Sequence, residues 1–266
     1  MKKVMIWALV LALTLGLGAG ALADGSLAAI QEKGYLIMGL DDSFPPMGYR
    51  NEDNEIVGFD IDLAKAVAEL LGVELRLQPI EWAAKELELD TRNIDCIWNG
   101  MSRTPQREID MALSMNYMGN AMVLMVSDPA IESMADLAGK SLAVQAGSYA
   151  EKLLAGDEYV DYVAALSETL SFENYLMAVM DLQNGNADAV FIDLVVADFL
   201  ITGVGDDSLF TTGNMEDDVF CIGFRKDDIE LRDAVNEALL VLAKNGTLEA
   251  ICTEWFGGNV SLVTAE

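Results

Sequence analysis

Histidine is absent from the chain. Its absence removes the usual general base near neutral pH and the commonest zinc-binding side chain together. Cysteine is scarce. Cys96, Cys221 and Cys252 allow at most one internal bridge, so the fold cannot rest on disulfides, and their wide spacing argues against a zinc centre. Positive charge is sparse as well, with 16 Lys and Arg against 44 Asp and Glu and a formal net charge of −28. A surface of that sign repels phosphates, which excludes nucleic acid as a partner and reads first as a solvated acidic shell. After the first two dozen residues no apolar run approaches the roughly 20 residues that a membrane span needs. Internal repeats, low-complexity tracts and long linkers are missing too, which fits a compact body.

The single apolar run that is present sits at the start. Lys2 and Lys3 precede Val4 to about Gly20, and Ala21-Leu22-Ala23 offers small residues where a leader is cut. This pattern predicts a secretory signal peptide over 1–23, a mature start at Asp24 and a soluble protein in the periplasm or outside the cell. No cysteine stands near Ala23, so anchoring through an N-terminal lipid is not expected. Loss of Lys2 and Lys3 takes the charge to −30. The remaining 243 residues exceed the usual size of a single core and suggest two lobes.

Short apolar runs alternate with helical periodicity. Strands are expected at Tyr35–Leu40, Val73–Leu77 and Ile94–Trp98. Between them lie a helix capped by Asp60, with Leu63, Val67, Leu70 and Leu71 on one face and Gly72 as its stop, and a second helix over Ala83–Leu89. The order restarts after Asp128, with a strand at Ser141–Gln145, a helix opened by Ser148, a strand at Val160–Val163, a helix over Phe172–Asn184 closed by Gly185, and a strand at Ala189–Ile192. Two such units predict an α/β protein with mostly parallel sheets flanked by helices. The apolar segments Met122–Val126 and Val219–Phe224 fall at the junctions and are expected to form a hinge. Leu231–Lys244 and Leu248–Phe256 read as helices without strands of their own, which should pack back on the first lobe. The expected division is 24–125 with 217–266 for one lobe and 126–216 for the other.

Three segments could serve a free amino acid, whose ammonium and carboxylate need an anion, a cation and fixed dipoles converging from different elements. Asn99-Gly100-Met101-Ser102 with Arg107 follows an apolar strand, where ligands bind in open α/β sheets, and Arg107 offers a planar fork for a carboxylate. Gln145-Ala146-Gly147-Ser148-Tyr149 passes from a strand into a helix start, whose amides favour an anion. Asp193 ends the apolar run that begins at Ala189, where it could meet an ammonium. Taken singly, each has an ordinary alternative. Arg107 could be a surface residue, Ser148 part of a plain connection, and Asp193 an N-cap.

Together the segments resemble the polar amino acid-binding proteins of bacterial ABC transporters. These belong to the type II periplasmic-binding family, whose members include the histidine-, lysine/arginine/ornithine- and glutamine-binding proteins. The resemblance runs from about Gly34 to Gly257. It rests on Gly39 to Met47, Val57 to Lys65, Asp95 to Ser102 with Arg107, Gln145 to Ser148, and Asn186 to Asp193. It implies a two-lobed fold joined by two hinge strands that closes on a polar or basic L-amino acid and delivers it to an ABC permease. It implies a monomer without cofactor, metal or catalytic residue. By position, Arg107 with Ser148 would hold the α-carboxylate, and Ser102, the carbonyl of Gly100 and Asp193 would face the α-ammonium. Phe44 and Trp82 would enclose the side chain, and Asp41, Asn99, Gln145 and Tyr149 would read its far end. Two departures stand out. Trp98-Asn99-Gly100 adds a ring and an amide where relatives carry small residues, and Leu113 to Tyr117 departs from the relatives' pattern, so no binding role is carried onto it. Related folds include cyclohexadienyl dehydratases, for which Glu81 or Asp41 would supply the acid, and receptor ectodomains. Without histidine, no nucleophile-base pair is legible.

Overall fold

The computed structural model describes residues 24–204 and 208–264, so the expected leader over 1–23 lies outside the described residues. The chain opens with α1 (Ser26–Lys33) and β1 (Tyr35–Leu40). β2 (Ser43–Phe44), β3 (Gly48–Arg50) and β4 (Ile56–Val57) then form a small antiparallel sheet. Next come α2 (Phe59–Leu71), β5 (Glu74–Pro79), α3 (Lys85–Asp90), β6 (Cys96–Ser102), α4 (Pro105–Asp110) and β7 (Met111–Leu113). β8 (Met118–Val126) leads to β9 (Ser141–Gln145), α5 (Tyr149–Leu154), α6 (Val160–Ala165), β10 (Glu168–Phe172), α7 (Tyr175–Gln183), β11 (Ala189–Asp193), α8 (Leu194–Val204) and β12 (Phe210–Thr211). β13 (Glu216–Arg225), α9 (Ile229–Asn245) and α10 (Thr247–Phe256) complete the order.

The main sheet runs β10-β9-β11-β8-β13-β6-β1-β5. Its flanks are parallel, with β1 beside β5 and β6 on one side and β9 beside β10 and β11 on the other. Parallel pairing requires crossovers, which the intervening helices provide. The two middle strands, β8 and β13, run antiparallel to each other and to their outer neighbours β11 and β6. The chain thus passes from the first flank to the second through β8 and returns through β13. These are the expected junction strands, each longer than its apolar run.

Amphipathic faces fix the helices. α2 buries Phe59, Leu63, Val67 and Leu71, and Gly72 ends it in the left-handed conformation at φ 74°. α9 buries Leu231, Val235, Leu239 and Leu242, and with α10 it packs on α2 as expected.

Three expectations need correction. Val160–Val163 is not a strand but lies in α6, a short surface helix without a buried residue. The strand of that region is β10, an edge strand whose residues are exposed or half-buried. α7 starts at Tyr175 rather than Phe172, because the Asn174 side chain accepts the Met177 amide at 3.0 Å and sets the helix start. Asp60 does not cap α2. It sits within the first turn, fully buried, and its Oδ2 accepts the Gly100 amide at 2.7 Å and the Tyr117 hydroxyl at 2.9 Å. Burial pushes its pKa up to about 7.

All three cysteines are free and buried, and burial raises the Cys221 thiol to about 12 and Cys96 further still. Among the described residues no helix is long and apolar enough to cross a membrane.

Candidate functional site

Arg107 is placed by local rules. Thr104 caps α4 by accepting the Arg107 amide at 3.2 Å, and Pro105 occupies the first helical position, where its missing N–H costs nothing. This turns the side chain inward, where Nη1 donates to the Ser102 carbonyl at 2.6 Å and only 3% of the residue is exposed. Its Nε is buried and has no hydrogen-bond partner among the described residues. Such an orphaned donor is costly unless an acceptor comes to it. Burial lowers the guanidinium pKa, while the charges of Glu86, Asp218 and Asp193 act in the opposite direction.

Asp193, at the end of β11, is the opposing charge. It is buried and accepts Asn120 Nδ2 at 2.7 Å. Burial, reinforced by the nearby Asp218, pushes its pKa up to about 8. The buried Tyr175 hydroxyl faces both Asp193 and Ser148 without meeting hydrogen-bond geometry to either. The Tyr175 ring also tilts against Phe44, with centroids 5.9 Å apart.

Two glycines let the walls approach. Gly100 has φ 57°, and a Cβ there would fall 2.7 Å from the Phe44 ring. Gly147 has φ 71°, and a Cβ there would fall 2.7 Å from Ala83 Cα, a contact between opposite flanks. At the same place Lys85, 2% exposed, donates from Nζ to the Trp82 carbonyl at 3.0 Å and the Gly147 carbonyl at 2.9 Å. Gln145 Nε2 makes a second cross-flank bond, to Asp41 Oδ2 at 2.6 Å.

Nine of the eleven residues expected at the site surround one narrow cavity: Phe44, Trp82, Gly100, Ser102 and Arg107 from the first flank, and Gln145, Ser148, Tyr149 and Asp193 from the second. Asp41 and Asn99 stand outside its lining. Asp41 braces Gln145, and Asn99 accepts the Asp41 amide at 3.0 Å. Trp98 faces away, buried in the core beside Tyr117. The helix start at Ser148 is not a bare anion cradle, because Glu151 accepts the Gly147 amide at 2.8 Å and the Gln145 carbonyl accepts that of Ser148 at 3.2 Å. Sequence reasoning missed Tyr175, Lys85, Asn120 and Asp218. The acidic run Glu216-Asp217-Asp218 ahead of an apolar strand was the only available signal for Asp218. A larger cavity, among Met118, Leu194, Phe199 and Trp255, is lined by no lysine or arginine and so offers no cation to a carboxylate.

A family model described as bacterial extracellular solute-binding proteins, family 3, matches residues 36–258. The chain belongs to that family. It is 32% identical over 262 residues to the arginine-binding extracellular protein ArtP of Bacillus subtilis, covering 97% of this chain and 99% of the relative. It is 28% identical over 265 residues to the L-cystine-binding protein TcyJ of Escherichia coli, covering 98% and 97%. Among solved structures, an ABC uptake transporter substrate-binding protein of Streptococcus pneumoniae with bound histidine superposes with a TM-score of 0.84 at 34% identity, covering 90% of this chain and 99% of that one. The fold is the type II periplasmic-binding fold.

Proposed function

We propose that the protein captures one polar or basic L-amino acid outside the cytoplasm and hands it to an ABC permease without altering it. The observation that carries this reading is the pair formed by Arg107, with its partnerless Nε, and Asp193, from opposite flanks of the sheet and lining the same cavity. A zwitterion would supply the missing acceptor to Arg107 and an ammonium to Asp193. The relatives, an arginine-binding protein, a cystine-binding protein and a binding protein with histidine bound, support an amino acid as ligand. Arginine and histidine among those ligands support a basic side chain.

The lobes of this reading are 24–125 with 217–266 and 126–216, hinged on β8 and β13, and the working unit is a monomer released after removal of 1–23. Since the site draws on both lobes, neither completes it alone, and the ligand favours the closed form by the contacts that exist only there. Binding rather than turnover is supported by the absence of histidine and of any legible nucleophile-base pair. A thermal-shift panel of the common amino acids with cystine identifies the ligand, because a ligand at 100 times its dissociation constant stabilises by about 2.7 kcal/mol. With that ligand, calorimetry on Arg107→Ala is expected to show a loss of roughly 30-fold to several thousand-fold. Unchanged affinity would refute the reading.

A further inference from the structure

Beyond Arg107 and Asp193, the two strands that join the flanks place Asn120 and Asp218 behind the cavity lining, in contact with its Asp193 and Ser102. Asn120 of β8 and Asp218 of β13 are register partners in the sheet. Asn120 Nδ2 donates to Asp193 Oδ1 at 2.7 Å and to Asp218 Oδ2 at 3.0 Å, so one amide nitrogen bridges two carboxylates. Ser102 Oγ donates to the same Asp218 oxygen at 2.8 Å, which directs the serine lone pairs away from Asp218. The remaining titratable groups facing the pair are Arg107 from α4, Tyr175 from α7 and Tyr149 from α5. Neither carboxylate makes an ion pair among the described residues.

Resting on the amino acid-binding reading, we propose that Asp193 and Asp218 act as one ammonium-receiving pair that holds a single proton in the unliganded protein and releases it to solvent when the amino acid binds. Two carboxylates buried against each other with no cation between them cannot both ionise cheaply, even with an Asn120 N–H on each, and such a pair titrates as a unit. Burial raises both acids, and Asp218 raises Asp193 further. The balance is simple. A carboxylic acid and a carboxylate receive an ammonium that keeps its three protons, both acids end as carboxylates, and one proton appears in the buffer. Asp218 is thus a positioning residue that fixes Ser102 and Asn120 and completes the negative charge. The pair selects for an ammonium over the hydroxyl or keto group of an otherwise identical acid, since neither substitute can compensate two buried anions.

Calorimetry tests this on the full chain, with L-arginine, L-histidine and L-cystine titrated separately at pH 7 in phosphate and in Tris. The expected result is a difference in apparent enthalpy between the buffers that corresponds to about one proton released, with affinity rising up to about tenfold per pH unit below pH 8. In Asp218→Asn, folding to the wild-type circular dichroism spectrum, release falls toward zero and the pH profile flattens. Equal enthalpies in the two buffers for wild type, or undiminished release in the variant, overturn the proposal. If none of the three amino acids gives heat and none of the common amino acids shifts the melting temperature, the ligand reading fails, and carboxyl NMR of ¹³C-aspartate-labelled unliganded protein still decides on the pair. A two-step coupled titration with its upper step near pH 8 supports it, and two aspartates both ionised by pH 5 overturn it.

Discussion

Asp60 shows what a single buried acid does to this molecule. Its carboxyl is fully buried, braces the Gly100 amide, and has its pKa raised from 3.8 to about 7. In the folded state it holds its proton to higher pH than in the unfolded chain, so its contribution to stability is complete below about pH 4 and is lost as pH rises through 7. Asp41, raised to about 6, acts in the same direction. Melting temperature is therefore expected to fall between pH 5 and pH 8, by roughly 1.4 kcal/mol per pH unit for each acid still resisting ionisation, or about 3–6 °C in a chain of this size. Asp60→Asn, which cannot ionise, should flatten the slope. Equal melting temperatures at pH 5 and pH 8 in wild type would contradict the raised acids. Gly100 is constrained in another way, since an L side chain there meets both a left-handed backbone and the Phe44 ring. Gly100→Ala is expected to lose about 1–3 kcal/mol in chemical denaturation and to weaken ligand binding through a displaced Phe44. Wild-type values for both would show that the ring yields freely.

At the scale of elements, the loop between β9 and α5 meets the segment before α3 across the cleft. The Gly147 contact with Ala83 and the Lys85 bond to the Gly147 carbonyl both lie there. A methyl on Gly147 strikes backbone of the opposite flank, so Gly147→Ala should weaken affinity at least tenfold while costing only about 1–2 kcal/mol of stability. Parallel loss of both in calorimetry and denaturation would assign it to general misfolding instead. Long periodic elements were legible from sequence, because β1 and β9 and the helices α2 and α9 carry continuous apolar stripes. Short surface elements were not. Val160-Asp161-Tyr162-Val163 has the β-branched ends of a strand, yet it buries nothing and is free to follow local helical turns. The true edge strand Glu168–Phe172 has no apolar run because solvent covers most of it.

For the whole molecule, the cavity was readable because its linings come from strand ends, where a parallel sheet delivers side chains at predictable places. Arg107, Ser148 and Asp193, which follow or end β6, β9 and β11, come together for this reason. Asn120 and Asp218 escaped notice because their importance depends on β8 and β13 lying side by side, a pairing nearly a hundred residues apart that periodicity does not encode. If the flanks hinge on those strands, the radius of gyration measured by small-angle X-ray scattering should fall when the bound amino acid is added. An unchanged scattering curve would argue for a fixed cleft. The acidic surface should also speed capture of a cationic amino acid in a salt-sensitive way, with association rates that fall as ionic strength rises. The buried thiols have a practical corollary. With Cys96, Cys221 and Cys252 hidden and held as neutral sulfhydryls, one cysteine engineered at the rim of the cleft would be the preferred target for a maleimide dye. The native sequence could then become a fluorescent reporter of its own ligand without prior removal of any thiol.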